Sequence, residues 1–76
     1  MPERLPRITA TDLLVALKRG GWVRIRQRGS HVRLAHPDRL MKVTVSIHRG
    51  QIVRPRTLLS VLDQAGLTIE ELVELL

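Results

Sequence analysis

The sequence predicts an α+β domain in which helices cover one face of a three-stranded antiparallel sheet. Apolar residues recur with helical spacing near both ends of the chain and alternate with polar residues in the middle, and Gly or Pro separates the segments. A chain of 76 residues has room for one core. We therefore expect a single domain over residues 1–76, with residues 1–8 as a flexible N-terminus.

The first helix is predicted from apolar residues spaced three and four apart: Ala10, Leu13, Leu14 and Leu17. Thr9, followed three residues later by Asp12, is typical of a helix start. The pair Gly20-Gly21 is typical of a helix end.

Three β-strands are predicted next, because apolar and polar residues alternate in Trp22–Arg28, His31–His36 and Met41–His48. Gly29-Ser30 suits a two-residue hairpin turn with glycine first, and His36–Arg39 indicates a second turn. Short connections favour an antiparallel meander. One face should be apolar and covered by helices, with residues such as Val23 and Ile25 directed inward, and the other face should be open to water.

Helical spacing returns after the third strand. A second helix is predicted from Leu58, Val61, Leu62 and Ala65, and Gly66 ends it. Thr68 and Glu71 form a capping box that opens a short last helix. The apolar side of that helix, Ile69, Leu72, Val73 and Leu76, is expected to pack in the core, although a homodimer through it stays open.

The composition excludes several classes of protein. Because the chain has no cysteine, disulfide scaffolds and thiolate metal sites are excluded. No segment approaches the roughly 20 apolar residues of a membrane span, and the start of the chain lacks a hydrophobic signal core. We therefore expect no membrane association and no secretion.

Charge is segregated along the chain, whose net charge is +6. Residues 18–56 hold eleven of the thirteen Lys and Arg residues and one acid, Asp38. Most of these cations are arginines, whose planar fork matches phosphate oxygens. Trp22 is the only aromatic residue, so the chain lacks the rings on which unpaired bases stack. An anionic partner that is held by its backbone is therefore expected.

The predicted register collects these cations on the open face of the sheet. A two-residue turn places Arg28 opposite His31 and Arg26 opposite Arg33, because paired residues share a face. The residues expected on this face are Arg24, Arg26, Arg28, His31, Arg33, Lys42, Thr44, Ser46 and His48. Since like charges that face each other destabilise a sheet, the arrangement favours a bound anion.

The three histidines differ in what surrounds them. Cations beside His31 favour its neutral imidazole, which can accept a proton as a general base must. His48 ends its strand and is left open between a phosphate contact and a spectator, whereas His36, beside a turn proline, is expected to be exposed and without function. No metal site is predicted, because His31 and His36 lie on opposite sides of a strand and no carboxylate accompanies a histidine pair.

Several short motifs occur in an order that resembles a known family. They are Gly21-Trp22, Arg26–His31 (R-Q-R-G-S-H), Pro37-Asp38, Val43–His48, Thr57-Leu58 and Leu62–Leu67. Together they resemble the HicA family of mRNA interferase toxins over about residues 8–72. The chain has Ser46 where that family commonly has proline, Arg56 where it has glycine, and Val32 where a further histidine often follows.

The resemblance implies a double-stranded-RNA-binding-like fold, α-β-β-β-α, and a small cytoplasmic toxin that a HicB-type antitoxin silences. It implies an endoribonuclease that cleaves mRNA without a metal or other cofactor. The essential histidine of the family corresponds to His31, and a second one corresponds to His48. His48, as a possible general acid, and Arg28 are then possible catalytic or phosphate-binding residues. The residues expected to bind RNA are Arg24, Arg26, Ser30, Arg33 and Lys42.

Two other interpretations of the same face stay open. The first is a non-catalytic module that binds RNA or double-stranded RNA, with salt-sensitive affinity but no cleavage. The second is a surface that docks an acidic protein. The toxin interpretation also includes an acidic partner, so an assay of the free protein on RNA is needed to separate them.

Overall fold

The computed structural model describes residues 4–76. Its elements follow in the order α1 (Ala10–Arg19), β1 (Val23–Arg28), β2 (His31–Ala35), β3 (Val43–Ser46), α2 (Pro55–Ala65) and α3 (Ile69–Leu75). The strands form one antiparallel sheet in the order β1-β2-β3. The predicted α+β class, with a short extra helix at the C-terminus, is confirmed.

The core lies between the helices and one face of β2 and β3. Val32 and Leu34 pair with Val45 and Val43, and all four side chains are buried. The helices contribute a second layer of buried residues: Leu13, Leu17, Leu58, Val61, Leu62 and Leu72. Period-two alternation in β2 and β3 and helical spacing in α1 and α2 thus predict most of the buried residues, whereas Met41, expected on the apolar face, is exposed.

Local hydrogen bonds explain where the helices begin and end. At α1, the Asp12 backbone N–H donates to Thr9 Oγ1 (3.2 Å) and the Thr9 N–H donates back to Asp12 Oδ2 (3.3 Å). Thr68 and Glu71 repeat this capping box at α3. The backbone and side-chain hydrogen bonds from Thr68 hold the pKa of Glu71 below its ordinary value. Helix α2 ends at Gly66, whose φ of 68° is left-handed.

Strand β1 departs from the predicted pattern. Its residues are exposed on both sides, including Val23 (57%) and Ile25 (50%), so their expected inward orientation is wrong. The described helices pack over β3 and against each other rather than over β1, which is an edge strand. Strand β3 is also shorter than expected, because its pairing with β2 extends only from Val43 to Ser46.

The segment before α1 packs on the body of the domain. The Val53 N–H donates to the Ile8 carbonyl (2.8 Å), and Thr9 forms an isolated antiparallel bridge with Ile52. Ile8 is buried and Leu5 packs against the core. Residues 5 and 8 therefore contact the domain, while the expected flexibility of residues 1–8 stays a prediction; residues 1–3 lie outside the described part of the chain.

His36 has a structural position that the sequence analysis does not predict. Its Nδ1 accepts a hydrogen bond from the Asp38 N–H (3.0 Å), so the ring proton lies on Nε2, which donates to the Gly20 carbonyl (3.1 Å). The half-buried ring also meets Trp22 edge to face, with centroids 5.2 Å apart. The expectation of an exposed histidine without a role is therefore wrong, because His36 ties the end of β2 to the end of α1.

Helix α3 places its apolar residues unevenly. Leu72 is fully buried, whereas Val73 (50%) and Leu76 (42%) are partly open to solvent. Arg19 Nη1 donates to the carbonyls of Leu75 (2.9 Å) and Leu76 (2.7 Å), which fastens the end of α3 to α1. A homodimer through this helix stays a prediction.

None of the helices in residues 4–76 has the length and apolarity needed to cross a membrane.

We expect Gly21→Ala to destabilise the fold more than Gly50→Ala does. Both glycines have positive φ (96° and 73°), which costs another residue about 1–2 kcal/mol. At Gly21 a new Cβ would also lie 2.7 Å from His36 Nε2, whereas at Gly50 it meets no atom within 4 Å. Urea unfolding of both variants measures the difference, and equal losses of stability would contradict the proposed packing of His36.

Candidate functional site

Four cationic or titratable side chains and one hydroxyl gather on the open face of the sheet. Arg26, Arg28, His31, Arg33 and Thr44 line a shallow cavity of about 240 Å³, and all five are exposed. Register brings them together, because Arg28 pairs with His31, Arg26 with Arg33, and Arg33 with Thr44. We call this group the basic face. The structure places these five residues on the side that the sequence predicts.

Arg24 does not belong to the basic face. A bulge at Ile25 shifts the register, so Arg24 pairs with Leu34 on the helix-covered side. There Arg24 Nη1 donates to Gln27 Oε1 (3.0 Å), and the side chain lines a groove with Trp22. The expectation that Arg24 shares a face with Arg26 is wrong. The alternation along β1 gives no sign of the extra residue.

Ser30 and Lys42 lie at the margins of the basic face. Ser30 occupies the hairpin turn beside His31, and its carbonyl accepts a hydrogen bond from the Ile47 N–H (2.7 Å). This bond joins the β1–β2 turn to the chain that leaves β3. Lys42 is exposed and precedes the paired part of β3, so register does not fix its side.

His48 lines a different cavity from His31. It follows β3 and borders a cleft of about 390 Å³ together with Ser46, Gln51, Arg54 and Thr57. Ser46 pairs with His31, so it stands at the boundary between the basic face and this cleft. The sequence analysis did not name Gln51, Arg54 or Thr57 as site residues, although Arg54 lies in the cationic segment and Thr57 in one of the family motifs.

Within residues 4–76, no carboxylate lines the basic face. Among residues 4–76, the arginine side chains that donate hydrogen bonds are those of Arg19 and Arg24, and neither belongs to this face. Arg26 and Arg33 are paired across β1 and β2, and both side chains line the cavity. Such a surface can bind an anionic polymer through its phosphates. In the same described part of the chain, no three metal-ligating side chains lie close enough to hold an ion.

Comparison with known families supports the resemblance that the motifs indicate. A family model described as "HicA toxin of bacterial toxin-antitoxin" matches residues 10–67 of the 76. The match begins with α1 and ends just after α2, so it includes the basic face and His48. No curated protein matches the chain.

We expect Arg33→Thr to stabilise the domain in low salt by roughly 0.2–1 kcal/mol, because it removes the repulsion between Arg33 and Arg26. Arg24→Thr removes the same charge where the opposite residue is Leu34, so it should give no such gain. Urea unfolding at low and high ionic strength measures both effects. The gain should shrink with salt, and a loss of stability in Arg33→Thr would contradict the expected repulsion.

Proposed function

Because the chain belongs to the HicA toxin family of bacterial toxin–antitoxin systems, we propose that it is an mRNA interferase, an endoribonuclease toxin that cleaves RNA without a metal. One observation carries the chemistry of this proposal. His31 is exposed next to the hairpin turn, with Arg28 directly opposite and with Arg26 and Arg33 on the same face. Family membership supports a toxin, and this cluster supports a reaction at a phosphate.

The proposed reaction uses the 2′-hydroxyl of the RNA as its nucleophile. The 2′-oxygen forms a bond to the adjacent phosphorus, and the bond from phosphorus to the leaving 5′-oxygen breaks. The products are a 2′,3′-cyclic phosphate and a 5′-hydroxyl. Such a step needs a base for the 2′ proton, an acid for the 5′-oxygen, and positive charge for the phosphate in between.

His31 is proposed to move the proton. Its imidazole takes the proton of the 2′-hydroxyl and, as an imidazolium, supplies it to the leaving 5′-oxygen. Solvent exposure gives the ring access to a polymer. A second histidine is not part of this cavity, since His48 lines the neighbouring cleft.

The arginines are proposed to stabilise the reacting phosphate. Two guanidinium forks, those of Arg26 and Arg33, flank the same shallow cavity, and Arg28 lies beside the proton-transfer group. Their charge opposes the extra negative charge on the pentacoordinate phosphorus. Ser30 and Lys42 are proposed as weaker contacts to the RNA at the margins of the face.

The antitoxin is proposed to be a HicB-type protein that covers this same face. An unneutralised cluster of arginines attracts any polyanion, so a partner that offers carboxylates there would exclude RNA and relieve the repulsion at once. The proposed partner therefore acts by occupying the basic face.

We expect His31→Ala to lose about 10²–10⁴-fold in cleavage rate, the usual contribution of a general base. The assay incubates purified protein with RNA in excess chelator and follows product formation. RNA affinity and the unfolding midpoint should stay close to those of the parent, because His31 is exposed and outside the core. Equal rates for parent and variant would contradict the role of His31. An inactive parent that still binds RNA would favour the non-catalytic module.

Arg26→Ala and Arg24→Ala form a matched pair on one strand. We expect Arg26→Ala to weaken RNA binding and to reduce the salt slope of the affinity by about 0.7, the loss of one phosphate contact on a single strand. Arg24→Ala removes the same charge from the opposite side of the sheet and should leave that slope nearly unchanged. Titrations of a single-stranded RNA at several salt concentrations measure both, and equal slopes would show that RNA does not bind to this face.

A further inference from the structure

A second polar cleft opens beside the basic face at the end of β3. It is lined by side chains from β3, the loop after it and the first turn of α2: Ser46, His48, Gln51, Arg54 and Thr57. We call it the His48 cleft. At about 390 Å³ it is larger than the cavity at His31.

The side chains of the His48 cleft suit a phosphate group. Arg54 and His48 supply cationic or donor nitrogens, and Ser46 and Thr57 supply hydroxyl donors. No acid belongs to the lining, which also includes Ala10, Ile52 and Val53. A cleft with several donors and no carboxylate favours an anionic ligand over a cationic one.

The first turn of α2 adds to this preference. Arg54 is the N-cap residue of α2, and its exposed side chain lines the cleft. Thr57 lies in the first turn of the helix and also lines the cleft. The backbone N–H groups of a first helical turn carry partial positive charge.

The cleft continues the basic face along the sheet. Ser46 pairs with His31 and also lines the cleft, so one residue belongs to the borders of both sites. His48 follows two residues later. An RNA strand that places one phosphate beside His31 can therefore place its next phosphate in the His48 cleft.

We propose that the His48 cleft is a second phosphate subsite, which binds the phosphodiester next to the one that is cleaved. This proposal rests on the proposed function, since it assigns the RNA a path from the basic face to the first turn of α2. In it, Arg54 and His48 contact the second phosphate, and His48 does not transfer the proton.

The test compares RNA analogues with one and two phosphodiesters, made non-cleavable by 2′-deoxy substitution. Binding is followed by NMR titration of the full chain. We expect Arg54→Ala to weaken the two-phosphate analogue about two- to fivefold, the range of an exposed ion pair, and to leave the one-phosphate analogue unchanged. Thr57→Val should act in the same direction without a change in net charge.

Arg56→Ala is the matched control. It removes the same charge from the same helical turn, but Arg56 does not line the cleft. Equal weakening by Arg54→Ala and Arg56→Ala would overturn the subsite, and so would an equal effect of Arg54→Ala on both analogues. These readings do not need cleavage. If the parent cleaves RNA but Arg54→Ala does not weaken the two-phosphate analogue selectively, the subsite is wrong and the proposed function stands. If the selective weakening is seen but the parent does not cleave RNA, the subsite stands and the proposed function is wrong.

Discussion

The pairing of β1 with β2 across the Gly29-Ser30 turn is the constraint on which the site depends. Gly29 supplies the left-handed backbone (φ 57°) that a two-residue hairpin needs at its first central position. That turn fixes Arg28 opposite His31, and the period of two then fixes Arg26 and Arg33 on the same side. A slip of one residue would move the imidazole to the helix-covered side, away from any polymer. The position of His31 is thus set by backbone geometry more than by its own contacts.

Burial of apolar side chains on the helix-covered face of the sheet offsets the repulsion between the cations on the open face. Val32 and Leu34 alternate with His31 and Arg33 along β2, so the same strand that carries the cations also carries core residues. Hydrophobic burial of a valine or leucine contributes roughly 1.5–3 kcal/mol, which exceeds the repulsion of one exposed cation pair. The fold can therefore hold like charges in register without a carboxylate among them. The remaining repulsion is what an incoming anion relieves.

Features that depend on residues close together in sequence were predictable, and features that depend on contacts between distant residues were not. The capping boxes at Thr9 and Thr68 act within four residues, so they mark the helix starts correctly. The hairpin also depends on adjacent residues. The exposure of β1 depends instead on which part of the sheet the helices cover. Neither this exposure nor the bulge at Ile25 can be predicted from the alternation of residues in β1. The bonds of His36 to Gly20 and Asp38 likewise join residues that only the folded chain brings together.

The separation of His31 from His48 bears on how such a site would work. If both rings lined one cavity, one could act as base and the other as acid, in concert. Here Ser46, at the end of β3, pairs with His31 and also borders the His48 cleft, so the proposed proton transfer and the proposed second phosphate contact lie on either side of one residue. In the proposed mechanism a single imidazole serves both proton transfers in turn, which favours modest turnover. Contacts to several phosphates would then act on affinity and on the position of the scissile bond beside His31.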